Sequence, residues 1–156
     1  MPRIEWLERI AIENMKGREA NMDLITREAH TTLTITLSAL GVTVGYAIKV
    51  IEQGSGWGYV ASFTALYLVA TAFVLVWECL RVKDFPSVYN DPANLNRPHM
   101  DFDVLRMKEI ENLQARIEMA QKLIAEKSIW LNRARVMLLA TPLVVVFASM
   151  LFKPLG

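Results

Sequence analysis

With 156 residues the chain has room for one small domain, and a formal net charge of +1 sets up no field that would gather nucleic acid or an acidic substrate. A single cysteine, Cys79, excludes an internal disulfide and stands among no obvious metal partners. The hydrophobic fraction of 53 % lies slightly above the usual range for soluble domains without being decisive, so its distribution along the chain carries the information.

Residues 1–30 read as an N-terminal helix in which Ile4, Leu7, Ile10, Ala11 and Met15 lean to one side and Gly17 weakens the middle. Acids are as frequent as bases here, which favours packing against another helix over lying on a membrane surface. Thr31–Ile51 then holds one charge, Lys49, near its far end. A helix rises about 1.5 Å per residue, so about 20 residues cross a hydrocarbon core roughly 30 Å thick, and residues 31–52 read as a first transmembrane helix. Residues 53–56 form the outer turn, whose glycines permit a sharp reversal. Residues 57–80 read as a second span with one charge, Glu78, near its end, where Arg81 or water can meet it.

Residues 81–100 contain Pro86, Pro92 and Pro98, which deny a continuous helix and predict an extended loop. Asp101 offers an N-cap for a long helix over 101–133. Within it Ile110, Leu113, Ile117, Ala120 and Ile124 alternate spacings of three and four, a coiled-coil fragment broken at Lys127 and resumed at Leu131. That face is expected either to form a helical hairpin with the N-terminal segment or to associate with another chain. Residues 134–152 form a third span, continuous with the long helix and kinked by Pro142, and 153–156 a short outer tail. The fold class is thus all-α: a polytopic membrane protein with three transmembrane helices and a helical polar region. A soluble chain this short could not surround three helices that are apolar on every side.

Fifteen of the seventeen basic residues precede the first span or lie between the second and third, leaving Lys49 and Lys153 on the other side. The positive-inside rule places the basic side in the cytoplasm, with the N-terminus inside and the C-terminus outside. Trp57 and Tyr59 at the outer edge, and Trp77 and Trp130 toward the inner one, suit interfacial aromatic belts.

The most suggestive motif is Gly41-Val42-Thr43-Val44-Gly45, whose glycines expose backbone that a second helix can approach. Ser38 and Thr34 extend the same small-residue face. It serves either a homo-oligomeric contact or packing against the second span. The hydroxyls of Thr31, Thr32, Thr34, Thr36, Ser38 and Thr43 can line a water path, but a threonine in a membrane helix more often bonds its own backbone. No span carries a central charge, which disfavours ion pumps and coupled transporters.

Enzyme chemistry finds little footing. Asp23, Arg27, Glu28 and His30 cluster at the mouth of the first span, and His99 stands near Asp101 and Asp103, yet neither set has ligand spacing. There is no phosphate-binding loop or nucleophile elbow. No catalytic residue, metal or cofactor is expected. Cys79 can accept a lipid or be a buried thiol, and the buried thiol is favoured.

The runs Arg18-Glu19-Ala20-Asn21-Met22-Asp23, Arg27-Glu28-Ala29-His30-Thr31-Thr32-Leu33-Thr34 and Ile110-Glu111-Asn112-Leu113-Gln114-Ala115-Arg116-Ile117 resemble short multi-spanning membrane proteins of proteobacteria and prophages. The resemblance implies a bacterial inner membrane and traffic with phage. At the level of architecture, two spans followed by a long helix are similar to small anti-phage membrane effectors, which usually lack a third span. Two functions are therefore expected to compete. One is a homo-oligomer that forms or gates a membrane pore or lesion. The other is a membrane-anchored scaffold whose cytoplasmic helices recruit a protein partner, with a membrane-edge enzyme third.

Overall fold

A computed structural model of the chain describes residues 2–90 and 100–152. Pro92, Arg97, Pro98, His99, Lys153 and the outer tail 153–156 lie outside the described residues. The protein is all-helical, 87 % helix with no strand among the described residues. Helix α1 is Pro2–Glu52, α2 is Trp57–Val74 with a π-helical continuation Leu75–Leu80, α3 is Phe102–Leu139 and α4 is Thr141–Leu151. Gly17 does not interrupt α1, and the N-terminal segment and first apolar run share one helix. Two helices, α1 and α2 with its π turn, are long and apolar enough to cross a membrane, and the bent pair α3–α4 makes a third if taken as one span.

The chain divides into two compact units, one from Met1–Ile25 with Val82–Glu126, the other from Thr26–Arg81 with Lys127–Gly156. The first carries ion pairs at its surface, such as Lys83–Glu126. Its core is Met15 against Leu113, Ile117 and Ala120, flanked by Ala11, Ile12, Phe85 and Val88. Glu8 meets Arg106 at 2.7 Å and Met15, further along α1, packs on Leu113, Ile117 and Ala120 further along α3, so the two helices run parallel here and not as the hairpin that was one of the two expectations from sequence. The reason is residues 81–90, which return the chain alongside α3 as an extended arm. Lys83 meets Glu126 at 3.3 Å, Arg116 donates to the Ser87 carbonyl at 3.4 Å and Asn90 donates to Glu109 at 3.0 Å. Pro86 keeps that arm extended. Leu7 and Ile10, expected on the packed side of α1, are exposed; Met15 anchors the seam, with Ala11 one turn before it. The Glu8 carboxylate, by accepting its hydrogen bond, raises the Arg106 guanidinium above its ordinary pKa and holds it charged.

The second unit is apolar outside. Leu66, Phe73, Val136, Leu143 and Met150 are all more than half exposed, an apolar surface of the kind that marks a membrane or protein contact. One stripe of α2 is covered: Ala61, Thr64, Leu68, Thr71, Leu75 and Cys79. Successive four-residue steps drift around an α-helix, and the wider π turn absorbs the drift so that Leu75 and Cys79 both stay covered. Tyr59 and Phe63 of α2 lie 6.3 and 6.1 Å from the Phe152 ring, which pairs the start of α2 with the end of α4.

The reversal between α1 and α2 uses its glycines in distinct ways. Gly54 takes φ +69°; its N–H donates to the Ile51 carbonyl at 2.9 Å and that of Ser55 to Val50 at 3.2 Å, closing α1 with a Schellman cap. Gly58 instead permits close approach, because a Cβ there would sit 2.6 Å from Ile51 Cγ1. Isoleucine is stiff at χ1 and cannot swing aside cheaply. Gly58→Ala is therefore expected to destabilise the hairpin by about 1–3 kcal/mol, read as a lower thermal midpoint in detergent.

Candidate functional site

The hydroxyl-rich first span spends its polarity on itself. Thr31, Thr32, Thr34, Thr36 and Thr43 each donate to the carbonyl four residues earlier, at 2.8–3.0 Å. Thr64 and Thr71 of α2 do the same. A threonine in an apolar setting costs little when its proton is already held.

Two stripes then divide α1 within the apolar unit. Ala29, Thr32, Thr36, Ala47 and Val50 are buried. Thr34, Ser38, Gly41 and Gly45 are exposed. At about 100° per residue the stripes project from opposite sides of the helix. No atom lies within 4 Å of where a Cβ would stand on Gly41 or Gly45. Of the two uses the motif allows, packing against the second span is not the one this structure makes of it; Gly58 is the glycine that α1 approaches.

No family model, curated protein or solved structure matches the chain.

The coiled-coil residues sit elsewhere. Leu113, Ile117 and Ala120 are buried in the polar unit against Met15, with Ile110 and Ile124 partly buried. That face of α3 is covered by the chain's own N-terminal helix. Lys127, where the repeat breaks, is buried in the apolar unit with 7 % exposure. Its amine donates to the Arg81 carbonyl at 3.5 Å, at the C-terminal end of the second span, and its own carbonyl accepts from Cys79 Sγ at 3.9 Å. A cation suits a helix C-terminus, where carbonyls lack partners. A lysine at a core position of a repeat was the sequence signal for this role. Cys79 is fully buried and free.

The polar cluster at the mouth of the first span does not assemble as a site. Glu28 meets Arg135 of α3 at 2.9 Å, and the His30 ring is exposed. Arg81 lies over the Trp77 ring at 4.8 Å and not on Glu78, while Arg133 lies over Trp130 at 4.6 Å. Each pair sets a cation over the face of an aromatic ring. Among the described residues, no three His, Cys, Asp or Glu side chains come together.

The kink expected at Pro142 occurs as a 48° bend between α3 and α4. Pro142 cannot donate to Leu138, and Ala140 instead donates to both Val136 and Met137. Tyr67 of α2 adds a hydrogen bond to the Met137 carbonyl at 2.8 Å, so a neighbouring helix serves the broken one. Tyr67→Phe is expected to cost about 1 kcal/mol, measured as detergent-unfolding stability, with spans retained.

Proposed function

We propose that this is a three-pass protein of the bacterial inner membrane that self-associates through Thr34, Ser38, Gly41 and Gly45 to form or gate a membrane pore or lesion. The N-terminus and polar helical unit lie in the cytoplasm and the C-terminus outside, following the basic residues. The bacterial setting and the link to phage follow the resemblance in residues 18–34 and 110–117. The observation that carries self-association is the small-residue stripe standing opposite the face that packs within the chain, with backbone open at both glycines. Lipid supplies no hydrophobic drive between helices, so close backbone approach is the main source of attraction available. A scaffold reading would need residues of α3 other than Leu113, Ile117 and Ala120, which α1 already covers.

Cysteine cross-linking in native membranes tests the face. In a Cys79→Ala background, Ser38→Cys and Thr34→Cys are expected to give dimers on oxidation, and Ile35→Cys, exposed on another flank, to give none. Equal yields at all three positions would remove the proposed face. Release of a trapped dye from vesicles holding the purified protein tests the pore, and tight vesicles would leave the oligomer without that role.

A further inference from the structure

Thr36, Thr43, Thr64 and Thr71 hold their protons on the carbonyl four residues back, at 2.8–3.0 Å. Thr141, at the bend between α3 and α4, does not: its Oγ1 is buried and has no hydrogen-bond partner among the described residues. The carbonyl it would use by the same rule is that of Met137. That oxygen already accepts from the Tyr67 hydroxyl at 2.8 Å and from the Ala140 N–H at 3.1 Å. A carbonyl oxygen has two lone pairs, so a third donor finds no place there. The backbone holds Thr141 back as well. Ala140 has φ −78° and ψ −6°, away from the α-helical ψ of about −42°. That one torsion opens the turn where the chain bends by 48°. At the far end of α4, Phe152 rests against Tyr59 and Phe63.

We infer that Ala140–Pro142 is a two-position hinge in the third span, latched in its bent form by Tyr67. When the Tyr67 hydroxyl leaves, the Met137 carbonyl accepts from Thr141 instead. Ala140 then turns to helical ψ and α4 swings toward the line of α3, carrying Phe152 off Tyr59 and Phe63. Each form satisfies one of the two hydroxyls at that oxygen and not the other, so the exchange is close to balanced, as a switch requires. Pro142 keeps a residual kink, because its ring still crowds the preceding turn. Relaxation of the bend by half moves the end of α4, 11 residues long, by about 7 Å. The inference rests on the packing of α2 with the end of α3 and with α4, and not on self-association.

Double electron–electron resonance between labels at Gln53→Cys and Met150→Cys, both exposed, in a Cys79→Ala background reads the hinge. With Tyr67 present, one distance is expected to dominate. Tyr67→Phe, which keeps the ring and removes the latch, is expected to add or favour a population shifted by about 7 Å. Adding Thr141→Val to Tyr67→Phe is expected to restore the first distance, since no second hydroxyl is then left to take the Met137 carbonyl. Thr141→Val alone keeps the bend and removes a partnerless hydroxyl, so its thermal midpoint is expected about 2–4 °C above that of the unaltered chain. A midpoint at or below that of the unaltered chain overturns the hinge, because the hydroxyl would then be in use in the bent form. An unshifted distance in Tyr67→Phe, or the same shift with and without Thr141→Val, overturns it too. Gly41→Leu with Gly45→Leu is expected to leave the distances unchanged, so failure of the oligomer and failure of the hinge are read separately.

Discussion

Gly41→Leu combined with Gly45→Leu is expected to leave a folded, membrane-inserted monomer and to abolish its oligomers in native mass spectrometry and cross-linking. Neither added side chain meets anything in the chain, because no atom approaches within 4 Å of either Cβ position. Leucine is also the better helix former by about 0.5–1 kcal/mol per site, and lipid solvates it. The monomer therefore has no reason to suffer. Between two copies the outcome reverses, since branched side chains on the stripe hold the backbones apart and remove the close packing on which association in lipid depends. The Gly58→Ala variant supplies the contrast, as it damages the hairpin while the stripe stays intact. Full oligomer surviving in the double-leucine variant would falsify the small-residue face as its interface.

The apolar runs were legible because hydrocarbon thickness imposes a length that three segments of this chain meet or approach, whatever their detailed packing. Burial direction was not. In a span that is apolar on every side, hydropathy does not distinguish the face toward a helix from the face toward lipid, and Gly41 and Gly58 look equally suited to close approach. Only the fold separates them, placing Ile51 over Gly58 and nothing over Gly41. The threonine hydroxyls were legible for a local reason, since a carbonyl four residues back is always in reach. Of the repeat from Ile110 to Ile124, Leu113, Ile117 and Ala120 lie buried against Met15, yet periodicity carries no partner and no direction, and the parallel pairing with α1 depends on the arm 81–90. Lys127 interrupts the repeat because its position passes from the aliphatic core to the end of the second span, where carbonyls call for a cation.

Ile117→Asp is expected to unfold the polar unit while leaving the spans in the membrane. Ile117 is 5 % exposed and packs with Met15, Leu113 and Ala120. A carboxylate there would lie in an aliphatic cluster among residues that offer it no hydrogen bond, and an uncompensated buried charge costs about 3–5 kcal/mol. That is a large share of the roughly 5–15 kcal/mol by which whole domains are stable, and this core is small. The ion pairs at the rim do not compensate, because Lys83–Glu126 is substantially exposed and such pairs contribute about 0–1 kcal/mol. Insertion is expected to be untouched, because the length and hydropathy of the apolar runs do not depend on this cluster. The readout is limited proteolysis of membranes: residues 102–126 are expected to become cleavable in Ile117→Asp and to resist in Met119→Asp, whose side chain is 58 % exposed and whose cost falls within about 0.5 kcal/mol. Equal resistance in both variants would show that α1 does not cover this face of α3. The same comparison governs any search for a protein partner of this unit: capture lost in Ile117→Asp but kept in Met119→Asp reports the collapse of the unit, while capture lost in Met119→Asp alone locates a partner on the open side of the helix.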